Sequence, residues 1–429
     1  MDYIRQITYE MKTQRMMTWV SVGGTALSIF LVMAFFMADQ VRIVGVSPES
    51  DRDRILTGEN IEVRTVNGKD STSSSGAASY ETCRKLYGGL DGIEKISYMS
   101  AWPETYNAGL PGRKSVPVSV RHTDEAFWSL YELRFLYGQP YDEASCESGE
   151  RIVVISRSLA RSLFQEEDVV GRDILLQHVP YRVIGVIEDV SPMMRTTGTD
   201  LFLPLGPKER TETGYNGFMG NVQAQLLPVA GVDEESIKRQ VESRYATINS
   251  TLGKEGKRFI YHGQPYNAEI VASESYGSNT TPDLSDKRAG RYMVYIVMTL
   301  LPAINLGSMT RSRLRHRVSE IGVRRAFGAR RVSIVMQILV ENFIITILGG
   351  IVGLVLSIVF MLVFYGTFFP TDSASMLVNE MAPSFEMLFT WKAFGIALAF
   401  CFVLNLLSAT LPAWRASRIQ PAVAIAKAR

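Results

Sequence analysis

The residues best able to do chemistry in this sequence do not assemble into a catalytic set. His122, His178, His262 and His316 stand apart, none with a Cys, His or carboxylate partner at metal-ligand spacing. Each reads as an ordinary surface or loop residue. There is no nucleophile elbow and no zinc-protease helix. A phosphate-cradling loop needs G-x-x-x-x-G-K-[ST], and the nearest string, PGRKS at Pro111–Ser115, lacks that glycine spacing. Any ATP hydrolysis is therefore expected in another polypeptide, with no metal or cofactor in this one. Cys83 and Cys146 share one polar region, and Cys401 lies in an apolar one. An oxidising compartment would permit a Cys83–Cys146 disulfide, but two cysteines so far apart in sequence carry little weight for it. Glu341 is the one ionisable residue well inside an apolar segment. It follows Arg331 at ~15 Å along a helix. An intramembrane carboxylate is a functional candidate, and snorkelling to the interface is the simpler alternative.

A different kind of chemistry, that of charge and shape, concentrates between Arg311 and Arg331 (RSRLRHRVSEIGVRRAFGARR). Arg311, Arg313, Arg315, Arg317, Arg324, Arg325, Arg330 and Arg331 sit there between two apolar segments, as in a loop held on the cytoplasmic side of a membrane. At helical pitch Arg313, Arg317 and Arg324 form one stripe, and Val318, Gly322 and Ala326 line another face. Such a helix suits a piece that lies under a membrane and docks on a partner. Gly328 is a natural helix stop, and Ser333 is placed to cap the next helix. The alternative is a solvated, positive-inside loop with no partner.

The elements that must position this loop follow from hydropathy and charge. The 429 residues carry a formal net charge of +2, which hides a split. From Asp39 to Ala289 there are 28 basic and 36 acidic residues, leaving 17 basic and 7 acidic in the rest. Basic ends around an acidic middle are a membrane-topology signal and no nucleic-acid footprint, because the arginines flank apolar spans. Residues 1–15 predict a cytoplasmic amphipathic helix with Ile4, Ile7 and Met11 on one face. Residues 16–38 are an uncharged run that predicts a first, uncleaved span. A second span is expected over 291–309, kinked at Pro302, with the coupling loop over 310–333. The third is expected over 334–364, where Gly349, Gly353 and Ser357 recur at the spacing that lets membrane helices approach closely. An outer loop (365–390), a fourth span (391–411) and a basic tail (412–429) complete a four-span α-helical membrane protein with both termini inside.

Between the first two spans, residues 39–290 read as an extracytoplasmic mixed α/β (α+β) domain. Strands are predicted at Ile93–Met99, Ser115–Arg121, Arg151–Ile155, Arg172–Gln177, Tyr181–Ile187 and Asn221–Leu227. Helices are predicted at Glu125–Leu133, Ser158–Phe164 and Val232–Leu252. The Ser-rich stretch Gly68–Ser79 predicts a mobile loop. The interleaving fits two lobes.

SEIGVRRAFGARRVSIVMQILVEN, followed by GGIVGLVLS, resembles the cytoplasmic segment and third span of the MacB/FtsX-type permeases of ABC transporters. LPAWRASRIQPAVAIAKAR resembles that family's closing motif, and RIVVISRSLARSLFQEEDVVGRDILLQHVPYRVIGVIEDV its periplasmic core domain. The resemblance implies that Glu320, Ile321, Gly322, Val323, Arg324, Arg325, Ala326, Gly328 and Ala329 form a coupling helix on a cytoplasmic ATPase subunit, which would hold the ATP and Mg. It also implies a second permease copy or paralogue in the bacterial inner membrane, with a membrane-fusion protein and outer-membrane channel as further partners. The family motif places a Glu where Glu341 stands. MacB itself carries its ATPase fused ahead of the first span, so this chain is closer in layout to members with a separate one. The implied function is mechanotransmission for export or extraction of an amphiphile such as a peptide, antibiotic or lipoprotein. The alternative is an FtsX-like regulator that activates a cell-wall hydrolase and transports nothing.

Overall fold

The structure is a computed structural model. It describes residues 15–40, 43, 45–67, 70–191, 194–214, 217–253, 256–273, 280–297, 300, 327, 331–368, 394–395, 398–399 and 402–403. The chain divides into two compact units: Met1–Gln40, Arg288–Tyr365 and Phe385–Arg429 form one, and Val41–Lys287 with Gly366–Ser384 the other.

The first unit is helical. Helix α1 (Arg15–Gln40) contains an apolar stretch, Thr18–Met37, long enough to cross a membrane. Its buried stripe runs Val22, Ala26, Ile29, Met33 and Met37, at the three- and four-residue spacing of one helical face.

In the other unit, strands β1 (Leu56–Gly58), β2 (Asn60–Asn67) and β3 (Asp70–Ala77) lead to helix α2 (Tyr80–Tyr87). Then come β4 (Ile93–Ser100), β5 (Glu104–Gly109), β6 (Val116–Thr123), helix α3 (Phe127–Leu130), β7 (Phe135–Gly138) and helix α4 (Glu143–Ser148). Strand β8 (Ile152–Ser156), helix α5 (Arg157–Phe164), β9 (Asp173–Leu176), β10 (Val179–Ile187), β11 (Leu201–Pro204) and helix α6 (Pro207–Thr211) follow. Strand β12 (Val222–Pro228), helix α7 (Glu234–Leu252), β13 (Lys257–Ile260) and helix α8 (Ala268–Ser273) complete it.

Among the described residues the main sheet runs β1-β12-β4-β6-β11-β8-β10-β9-β5, and β5 pairs back onto β6. Six strands therefore close into a ring, which has no exposed edge. Its interior is filled by Val118 and Val120, Val153 and Ile155, Ile174 and Leu176, Val183, Val186, Leu201 and Leu203, with Leu159 and Leu163 of α5 against them. Alternation explains how β8 serves two cores. Val153 and Ile155 face the ring, whereas Ile152 and Val154 pack with Phe127, Tyr141, Cys146 and Phe202 on its other side.

The β1-β12-β4 limb carries a second lobe, in which α2 and α7 share a core with Leu226, Ile61, Val63 and Phe259. There the Ser-rich stretch is no loop. Residues Asp70–Ala77 pair with β2 in continuous antiparallel register from Asn60↔Ala77 to Asn67↔Asp70. Ser73 Oγ donates to Glu62 Oε1 at 2.6 Å across that pair, so a strand too polar to bury is held by its ladder. The predicted helix Glu125–Leu133 shortens to α3, because Phe135–Gly138 is drawn into pairing with β10. The predicted helices Ser158–Phe164 and Val232–Leu252 match α5 and α7 within two residues at each end, and the six predicted strands match β4, β6, β8, β9, β10 and β12 as closely.

Residues 285–297 form helix α9, and helix α10 (Arg331–Phe368) holds a second stretch long and apolar enough to cross a membrane, Phe343–Phe364. Ser333 lies inside α10 and does not cap it, since the helix already includes Arg331. The second predicted span is described only as far as 297 and at 300, and of the fourth only six residues are described, all helical.

Candidate functional site: a glycine seam between two apolar helices

Within the helical unit, α10 lies against α1 through its smallest residues. A Cβ on Gly353 would stand 2.6 Å from the carbonyl oxygen of Ala26 and 3.0 Å from Ile29 Cβ. One on Gly349 would stand 2.7 Å from Thr25 Cβ and 3.2 Å from Ala26 N. Both contacts are with α1 backbone or with atoms close to it, so no flexible side-chain tip can move aside. Gly350 lies at the border of the seam, where a Cβ would meet Leu398 Cδ1 at 2.7 Å and Ile29 Cδ1 of α1 at 3.6 Å. Ser357 continues the stripe fully buried, and its Oγ donates to Leu354 O at 2.8 Å within its own helix. Phe30 and Phe360 close the same seam edge-to-face with centroids 5.2 Å apart.

Two apolar helices gain nothing from burying more apolar surface in lipid, so close packing must hold them together. The sequence singles out the α10 side of this seam. It misses the α1 side, where Thr25, Ala26, Ile29 and Phe30 receive the glycines. The signal was there in the run of small residues Gly23, Gly24, Thr25 and Ala26. Thr25 Oγ1 donates to Ser21 O at 2.8 Å and Ser28 Oγ to Gly24 O at 2.6 Å, so the polar atoms of α1 are satisfied inside the helix. Tyr295 of α9 packs on Phe35 of α1 at 5.3 Å, so α1 touches both α9 and α10.

The remaining sequence candidates fall elsewhere. Glu320, Ile321, Gly322, Val323, Arg324, Arg325, Ala326, Gly328 and Ala329 lie outside the described residues, as does the side chain of Glu341. Phe327, in their midst, is 89% exposed. Cys83 and Cys146 are both free and buried, in keeping with the little weight the sequence lends to a disulfide. Cys83 belongs to the α2–α7 core and Cys146 to the cluster around Phe127, so each thiol is packed among apolar neighbours in a separate core. Burial pushes both thiols up, that of Cys146 to about 12, which leaves neither as a ready thiolate. No group of three or more potential metal ligands occurs among the described residues.

Among the described residues, two helices are long and apolar enough to cross a membrane, and a large α/β domain lies between them in the sequence. The FtsX-like permease C-terminal model matches residues 292–421, and the MacB-like periplasmic core domain model matches residues 18–244. The chain belongs to this family and is an ABC transporter permease of the MacB/FtsX type, embedded in a membrane. It is 22% identical to the ABC transporter permease YknZ of Bacillus subtilis over 79% of this chain and 77% of that one. It is 25% identical to the pyoverdine export protein PvdT of Pseudomonas syringae pv. syringae over 71% of this chain and 42% of that one. It is 21% identical to the macrolide export protein MacB of Salmonella paratyphi A over 99% of this chain and 62% of that one. The chain thus spans roughly half of the PvdT and MacB relatives, which their names describe as ATP-binding/permease proteins. Among solved structures, the periplasmic region of MacB from Actinobacillus actinomycetemcomitans aligns at 14% identity and a TM-score of 0.33, covering 51% of this chain and 93% of that one. The extracellular domain of YknZ aligns at 16% identity and a TM-score of 0.32, covering 47% and 99%.

Proposed function

We propose that this chain is a permease subunit that transmits ATP-driven motion through the bacterial inner membrane to its extracytoplasmic domain, for export or extraction of an amphiphilic peptide, antibiotic or lipoprotein. ATP and Mg would be bound by a separate ATPase subunit, docked on Glu320–Ala329, and two permease chains would work together. The observation that carries the reading is the seam. Helix α10 begins at Arg331, directly after the basic stretch, and it packs by backbone-close contacts on α1, which continues at Gln40 into the outer domain. A push on the loop would then reach α1 through α10. The export names of the PvdT and MacB relatives support the direction of transport. Both termini would be cytoplasmic, as the charge split favours.

The test uses the full chain with its ATPase. Gly322→Leu adds bulk at the proposed contact, and overpacking of this kind costs about 1–3 kcal/mol. Arg324→Glu and Arg325→Glu reverse its charge, with a larger effect at low salt. The triple variant is expected to insert normally and to lose co-purification with the ATPase. Retained binding and coupled activity would remove the coupling-helix assignment.

A further inference from the structure

The outer unit receives the chain from α1 through a short connector, and one carboxylate fastens it. Val46 and Glu49 form an isolated antiparallel bridge, and the Glu49 side chain is buried. Its Oε1 accepts from Thr196 N at 3.1 Å, Thr197 N at 2.9 Å and Thr197 Oγ1 at 2.8 Å, and its Oε2 from Arg52 Nε at 2.8 Å. Burial opposes the charge, but Arg52 and the Thr197 donors outweigh it and hold the carboxyl below its usual range.

The segment that Glu49 grips, residues 194–200, is attached on its other sides as well. Arg121 of β6, itself buried, donates from Nη1 to Ser100 O at 2.8 Å and from Nη2 to Arg195 O at 3.2 Å. Asp200 Oδ2 accepts from Ser119 N at 2.7 Å. Arg195 Nη1 then reaches Val271 O in α8 at 3.0 Å, with Nη2 3.7 Å from Glu59. Helix α8 is the last described helix of the outer unit before α9, on the way to the second predicted span. The turn at Glu49 and helix α8 are thus tied to one loop.

We propose that Glu49 and Arg195 are positioning residues of a polar linchpin, in which the 194–200 loop makes the Val46–Arg52 turn and helix α8 move as one within the outer unit. The inference rests on the motion-transmitting role above. A buried ionised carboxylate that accepts four donors is costly to loosen, and charge-assisted bonds to backbone amides are short and directional. The joint is therefore stiff, and strain applied at Glu49 passes through Arg195 to α8.

Hydrogen–deuterium exchange on the full chain in lipid nanodiscs tests the first link. Glu49→Ala is expected to speed exchange at the Thr196 and Thr197 amides about tenfold or more and to speed α8 by a smaller factor, with β8 unchanged. Arg195→Ala should loosen α8, and adding Glu49→Ala should then change α8 no further. Spin labels at Asp53→Cys and Ala272→Cys, the latter in α8, test the second link. Their distance distribution should broaden in either variant and stay narrow in Val183→Ala, which lowers the thermal midpoint of the outer unit through its ring core without touching the joint; a purely structural role would not separate them. Wild-type exchange at α8 in Glu49→Ala, or a distribution as narrow as the wild type's, would overturn the proposal. Uniform acceleration that includes β8 would count against it equally. Should Glu49→Ala fail to fold, Glu49→Gln keeps the shape without the charge and is read the same way. None of these measurements needs nucleotide or an ATPase, so the linchpin and the transport reading fail separately.

Discussion

Asp124 lies between β6 and α3, where its Oδ1 accepts from Ser97 Oγ at 2.7 Å and Phe127 N at 3.1 Å, and its Oδ2 from Tyr98 N at 2.7 Å. Burial pushes its carboxyl up to about 7, with neighbouring Glu125 adding to the rise and the Tyr98 and Ser97 bonds opposing it. A raised carboxylate means the folded chain keeps a proton that the unfolded chain releases. Stability from this group is therefore full below the ordinary Asp range and falls as pH climbs from about 4 to about 7. Asp124→Asn, which cannot ionise, is expected to flatten that part of the curve, by up to a few kcal/mol across the window. Denaturation midpoints of wild type and variant from pH 4 to 8 check this, and an unchanged slope would refute it. Neither Asp124 nor Glu49 was legible in the sequence. Each is one acidic residue among many in an acidic domain, and its partners lie far along the chain. The placing of the two buried cysteines was hidden for a related reason, since a shared compartment says nothing about which core each thiol joins.

The elements were easier to read where burial writes a period into the chain. Strands β4, β6, β8, β10 and β12 alternate or run apolar, and they fall where the sequence places them. Strand β3 does not, because Asp70–Ala77 is held by its partner strand and by Ser73–Glu62, and a Ser-rich ladder looks like a linker. The closing of the ring by β5 onto β9 was equally hidden, since pairing between distant strands leaves no local trace. The seam is legible on one side only, because spacing marks small residues without saying which helix they meet. It yields a prediction for α10. Gly353→Leu drives a side chain into the Ala26 carbonyl and Ile29, and is expected to lower the unfolding midpoint of the full chain in mild detergent by an amount equivalent to about 1–3 kcal/mol. Gly23→Leu serves as the contrast, because Gly23 has open space around it on the exposed side of α1 and should be near neutral. Equal losses in both variants would show that the seam is not a specific contact.

For the whole molecule, the prediction rests on the charge division between Asp39–Ala289 and the rest. A membrane-impermeant thiol reagent should reach cysteines introduced beside Ser74 and Ser375 in intact spheroplasts. It should reach those beside Ser319 and Lys427 only after the membrane is broken. Labelling beside Ser319 in intact cells would overturn the four-span topology. Helix α10 has a mechanical property under that arrangement. Its 38 residues make a rod ~57 Å long. The two seam glycines fall near its middle, leaving ~27 Å from Arg331 to Gly349 and ~22 Å from Gly353 to Phe368. Were α10 to tilt in the proposed transmission, the seam would be its fulcrum, between arms of nearly equal length. A tilt of roughly 10° about it would swing the Arg331 end by about 5 Å, with a comparable countermovement at Phe368. Leverage of that kind trades no force for distance, and a bulkier residue at Gly353 would shift the pivot before it broke the rod.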